Sequence, residues 1–155
     1  MKQGLFIVMV LLISISCTSN KIPKDATVFE GHYYKVFHDT LSWKAAEQKC
    51  NAMGGILASV KSEAVNTFIF KLSNGKCLWL GASDELKENE WLWRDGSPMT
   101  YSNWAAHEPD NWFDGKEHWL VINWPSKEYK NGKWGDTQLH YREQIKGYVC
   151  EWGKK

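Results

Sequence analysis

The chain has 155 residues and a mass of 18.0 kDa, a one-domain length with room for a sizeable core. Its 43% hydrophobic and 24% charged content is that of an ordinary globular domain and excludes a disordered tail, a collagen and a multi-span membrane protein. Lys+Arg 19 against Asp+Glu 18 gives a net charge of +1, which carries no electrostatic footprint for nucleic acid.

In chain order, residues 1–16 read as an export address. Lys2 precedes the apolar run Leu5–Ile13, which is too short to span a bilayer. Ser16 before Cys17 resembles a bacterial lipobox, although Ser14 stands where that motif usually has Leu. Lipidation of Cys17 and ordinary cleavage therefore both stay open. Residues 17–26 form a polar tether, and 27–153 read as one domain without internal repeats.

Within that domain Val28–Phe37 is rich in β-forming residues. Ser42 caps a helix whose stripe is Trp43, Ala46, Cys50 and Met53, ended by Gly54-Gly55. Ser62 caps a second helix with Val65, Phe68, Ile69 and Leu72 on one face, closed by Asn74-Gly75. Cys77–Ala82 is a short apolar run between turn signals, hence a buried strand. Trp91–Trp93, Trp119–Asn123 and Gly147–Trp152 read as further strands, with turns at Asp95-Gly96 and Asn131-Gly132. Two early helices and late short strands give an α+β fold. Between Ser97 and Lys116 no regular element is expected, and so long a loop in a compact domain is usually functional.

The loop's last stretch, His107–His118, holds four carboxylates and one Lys. Like charges so close need either water or a cation, and an all-oxygen set suits Ca²⁺ before Zn²⁺ or Cu²⁺. A solvated acidic loop is the alternative. Pro109 stands between Glu108 and Asp110, where a cis bond would turn both acids to one side. The EF-hand pattern is absent.

Leu78-Trp79-Leu80-Gly81, Trp91-x-Trp93-x-Asp95-Gly96-Ser97-Pro98, Tyr101-x-Asn103-Trp104, Glu108-Pro109-Asp110, Trp134-Gly135-Asp136 and Cys150-Glu151 occur in that order. With them the chain resembles a C-type lectin-like domain over about Val28–Trp152. The resemblance implies the C-type lectin fold, with two helices flanking small antiparallel sheets and a long irregular ligand loop. It also implies a sugar-binding protein that grips through a bound Ca²⁺. Carried over by motif, the calcium ligands are Glu108, Asp110, Glu117 and Asp136, whose oxygens also hold the sugar hydroxyls. Affinity for one sugar would be weak, about millimolar. Gly135 departs from the family's usual Asn and removes one oxygen. The Glu108-Pro109-Asp110 triplet mixes the mannose and galactose patterns. Trp112 stands where galactose-type members place a ring under the sugar, so the resemblance leans to galactose-type sugars. An auxiliary metal site would use Asp84, Glu88 and Asn111 with Glu117, but His118 replaces an expected acid; an exposed acidic turn is the alternative.

The resemblance further implies a disulfide between Cys50 and Cys150, and Trp119 with Leu139 in place of a second one. Cys77 is left as a buried thiol. Trp79, Trp91, Trp93 and Trp104 match family core positions. The implied partners are cell-surface or glycoprotein glycans; a protein or host-matrix partner bound by a decayed calcium site is the alternative. Nothing points to an enzyme. H-E-x-x-H, G-x-S-x-G and C-x-x-C are absent, and His32, His38, His107, His118 and His140 are scattered. His107 and His118 flank the acidic loop, which leaves a Zn²⁺ site as a lesser option.

Overall fold

The computed structural model describes residues 22–127, 131–139 and 143–153. The export segment, Cys17, most of the tether and His140 lie outside the described residues.

The chain enters through a hairpin. β1 (Thr27–Phe29) pairs antiparallel with β2 (His32–Phe37), with Thr27 opposite Tyr34. The β-rich segment read as continuous is therefore two strands. Glu30 and Gly31 both take positive φ, 46° and 81°, as a two-residue hairpin turn requires.

Helix α1 (Trp43–Ala52) starts where Ser42 Oγ accepts the Ala45 N–H at 3.3 Å. It buries Trp43, Ala46 and Cys50. After it, β3 (Ile56–Leu57) lies against the last strand. Helix α2 (Glu63–Ser73) is capped by Ser62 Oγ on the Val65 N–H at 3.1 Å and ends at Asn74 in the left-handed region. Both caps fall where the sequence puts them.

The remaining strands are β4 (Leu78–Ser83), β5 (Leu92–Trp93), β6 (Trp119–Ile122), β7 (Trp134–Thr137) and β8 (Tyr148–Trp152). β7 has no forerunner among the expected strands. Nor are the sheets separate: one mixed sheet runs β1-β2-β8-β4-β6-β7, with β3 on β8 and β5 on β4. The junction is a parallel bridge, Trp79 beside Tyr148, in an otherwise antiparallel sheet. At Gly81 the sheet and the β3 segment approach so closely that a β-carbon would run into the Leu57 carbonyl.

The core is largely indole. Trp43, Trp79, Trp93, Trp134 and Trp152 are fully buried, and Trp91 and Trp119 nearly so. Several are tied by their Nε1–H as well as packed. Trp43 donates to the Leu80 carbonyl at 2.7 Å, Trp79 to that of Leu41 at 3.0 Å and Trp152 to that of Met53 at 3.0 Å. The expected core rings Trp79, Trp91, Trp93 and Trp104 all pack inward. Trp119 is buried in a core cluster against which the partly buried Leu139 also packs. Cys77 is buried, and burial pushes its thiol up to about 12, so it stays protonated. Cys50 and Cys150 are buried free thiols; burial and the adjacent Cys50 thiol push Cys150 well above the usual range. The two cysteines that the resemblance pairs thus lie side by side in the core.

Candidate functional site

The site is built on Trp134. Its indole donates to Asn66 Oδ1 of α2 at 2.7 Å, and Trp93, Tyr101 and Trp104 meet it edge-on at 5.7–5.9 Å. Its backbone holds the long loop: the Trp134 N–H donates to the Asn103 carbonyl at 3.0 Å, and the Ala105 N–H to the Trp134 carbonyl at 2.8 Å. The loop's start is thus fastened to β7 two residues before Asp136.

Asp136 then gathers the acidic turn. The Asp110 N–H donates to its Oδ1 at 3.2 Å and the Asn111 N–H to its Oδ2 at 3.1 Å. The Asp136 N–H donates to Glu108 Oε2 at 3.4 Å. Glu108–Pro109 is cis, and the carboxylates on either side of Pro109 meet the same aspartate. Glu108, Asp110 and Asp136 offer oxygens all within 4.8 Å of one another. Residues separated by 28 positions in sequence form one group.

Electrostatically this group is under strain. Asp136 is only 7% exposed, and burial with the hydrogen bond and charge of Glu108 pushes its carboxyl up to about 8 against the Asp110 and Asn111 N–H donors. Burial and the charges of Asp136 and Asp110 push Glu117 up to about 7. Among the described residues, Asp110, Glu117 and Asp136 have no Lys or Arg within ion-pair range; Lys116 turns to Asp114 at 3.4 Å. Such an arrangement of oxygens fits a hard divalent cation, which would remove the repulsion that raises these carboxyls.

Of the four expected calcium ligands, three come together, while Glu117 stands beside the group outside its tight core. Gly135 faces Val121 across β6–β7 and adds no oxygen of its own. Trp112 is 79% exposed and Phe113 54%, next to the acids. A 79%-exposed indole on a domain that buries most of its others has not been recruited to the core.

The auxiliary residues divide differently from expectation. Asn111 Oδ1 accepts the Glu117 N–H at 3.0 Å and braces the loop rather than joining Asp84 and Glu88. Their partner is His118, whose Nδ1 lies 3.0 Å from Asp84 Oδ1 and 3.7 Å from Glu88 Oε2. His107 is exposed and, among the described residues, belongs to neither of the two acidic groups. Buried Asn66, which holds Trp134, escaped the sequence reading; a polar residue inside a helix's apolar stripe was its only signal.

Known proteins bear on this geometry. A family model described as Lectin C-type domain matches residues 39–152, well over half of the chain. The versican core protein of Rattus norvegicus is 33% identical over 125 residues, covering 81% of this chain. The chain spans only about 4% of the length of such curated relatives. The mouse scavenger receptor C-type lectin carbohydrate-recognition domain superposes with a TM-score of 0.74 at 27% identity, over 86% of this chain and 98% of that one. Herring type II antifreeze protein does so with a TM-score of 0.74 at 26% identity, over 86% and 99%.

Proposed function

The chain belongs to the C-type lectin domain family, and from that premise we propose that it is a calcium-dependent carbohydrate-binding domain gripping through Glu108, Asp110 and Asp136, with Glu117 as the fourth donor. One observation carries the reading: three carboxylates converge within 4.8 Å around a buried aspartate whose ionisation the protein itself resists. Such a group is costly until a cation joins it. Calcium, which takes six to eight oxygens, would supply a charge with coordination positions left for two neighbouring sugar hydroxyls.

The chain's own residues do the rest. Asp136 is held by the N–H groups of Asp110 and Asn111, so the donors start in register. Trp112 offers an open ring to the apolar face of a galactose-type sugar. The domain is bounded at 27–153, exported by residues 1–16 and either lipidated at Cys17 or cleaved, displaying it at a cell surface or releasing it. In that oxidising setting Cys50 and Cys150, buried and adjacent, lose two protons and two electrons to the export machinery's oxidant and form one disulfide.

A second reading has its own support. Gly135 contributes no ligand, and both Asp136 oxygens already accept backbone N–H groups. That favours an interaction domain for a protein or host-matrix partner, with a decayed cation site. Calorimetric titration of the chelator-treated protein with Ca²⁺, followed by glycan binding at high valency with and without chelator, separates the two. Heat with chelator-sensitive glycan binding supports the first. No heat and no shift in melting temperature supports the second.

A further inference from the structure

Asp84 follows β4 directly and is 2% exposed. The Asn89 N–H donates to its Oδ2 at 2.9 Å, and the Asp84 N–H donates to the His118 carbonyl at 3.3 Å. The turn from Asp84 to Glu90 and the strand entry at His118 are thus tied by backbone as well as side chain. Glu88, on the same turn, aims at the same imidazole nitrogen.

The charges here do not balance. Two carboxylates converge on a single Nδ1, which can donate one proton at most. The lysines nearby are engaged: Lys87 pairs with Glu90, Lys44 with Glu85 at 2.8 Å, and Lys116 with Asp114 at 3.4 Å. Asp84 is thus buried with one imidazole nitrogen facing one of its oxygens and one backbone N–H donating to the other. The donor set is also mixed, one imidazole nitrogen and two carboxylate oxygens, all within 4.8 Å.

We propose that Asp84, Glu88 and His118 form a second metal site, separate from the Glu108–Asp110–Asp136 group, selective for a borderline first-row divalent ion of the Zn²⁺ class over Ca²⁺. The nitrogen decides the selectivity. Calcium takes oxygens, whereas imidazole with carboxylates suits zinc at about 2.0–2.2 Å. Tetrahedral bonds of that length separate two ligand atoms by about 3.3 Å. The observed separations of 3.0 and 3.7 Å bracket that spacing, so small side-chain shifts admit the ion. Three protein donors leave a fourth position for water or a ligand group. The Asp84–Glu90 turn would thereby be pinned to the segment between Glu117 and β6.

The test uses the full chain, stripped with chelator and titrated with Zn²⁺ and, separately, Co²⁺. Micromolar Zn²⁺ binding with a Co²⁺ visible spectrum of mixed nitrogen–oxygen coordination is expected. His118→Ala and Glu88→Gln, both at partly exposed side chains, should weaken Zn²⁺ by about a hundredfold with the melting temperature in chelator little changed. His118→Asp should lose Zn²⁺ and gain Ca²⁺. Asp136→Asn should leave Zn²⁺ binding intact, which keeps this outcome distinct from the fate of the calcium reading. No Zn²⁺ binding, binding unaffected by His118→Ala and Glu88→Gln, or binding lost in Asp136→Asn overturns the proposal.

Discussion

Asp136 and Glu151 are buried to the same degree, each 7% exposed, yet they live in opposite surroundings. Glu151, on β8, receives the Ser59 N–H at 2.7 Å on Oε2, and His32 Nδ1 lies 2.7 Å from Oε1. Burial raises its carboxyl, and Ser59 and His32 oppose the rise. Asp136, on β7, also receives two backbone N–H groups, but the side chain facing it is another acid, Glu108. Burial alone therefore does not mark a functional carboxylate. What separates the two is the side chain each one faces, an imidazole in one case and a second carboxylate in the other, which leaves a countercharge to come from solution.

Removing either carboxylate tests that contrast. Asp136→Ala should lower calcium affinity at least about a hundredfold, near 2.7 kcal/mol, and abolish sugar binding, while stability in chelator holds or rises. Calorimetry with calcium reads it, and unchanged binding would show that Asp136 is no ligand. Glu151→Ala should do the reverse. It strands the Ser59 N–H and costs about 2 kcal/mol of unfolding free energy, read by denaturant titration, with calcium affinity unmoved.

Acidity sharpens the contrast further. Asp136 at about 8 and Glu117 at about 7 lie above their ordinary values, so the native protein binds more protons than the unfolded chain between about pH 4 and 8. Stability without calcium should accordingly fall as pH rises through that window, and Asp136→Asn should flatten the slope. Calcium must displace those protons, so its affinity should rise up to about tenfold per pH unit and per proton from pH 6 to 8. A pH-independent affinity would place the ion elsewhere. The smallest effect belongs to Trp112→Ala. Galactose-type ligands should weaken about fivefold, near 1 kcal/mol, with calcium affinity intact by calorimetry.

Legibility in the sequence followed the range of the interactions. Both helices announce themselves because Ser42 and Ser62 cap locally and the apolar stripe repeats within one turn. β7 does not, since Trp134–Thr137 has four buried residues with no polar alternation, and its strand character comes from pairing with β6. The β1–β2 turn was hidden because Glu30 is not a residue that usually takes positive φ. In the site, motif resemblance found Glu108, Asp110 and Asp136, which spacing alone could not join across the intervening turns. His118 was visible as a missing acid and as a flank of the acidic loop, but not as a neighbour of Asp84; folding made it the partner of that residue, 34 positions away.

The hairpin at the start of the domain has a mechanical consequence. Thr27 lies opposite Tyr34 and Tyr34 opposite Glu151, so the way in and the way out are two ladder spacings apart, about 10 Å. Tension applied between residue 27 and residue 152 is therefore carried by the β1–β2–β8 ladders. The load path bypasses Trp134 and the turn gathered on Asp136, so the acidic group can hold its shape while the domain is pulled by its ends.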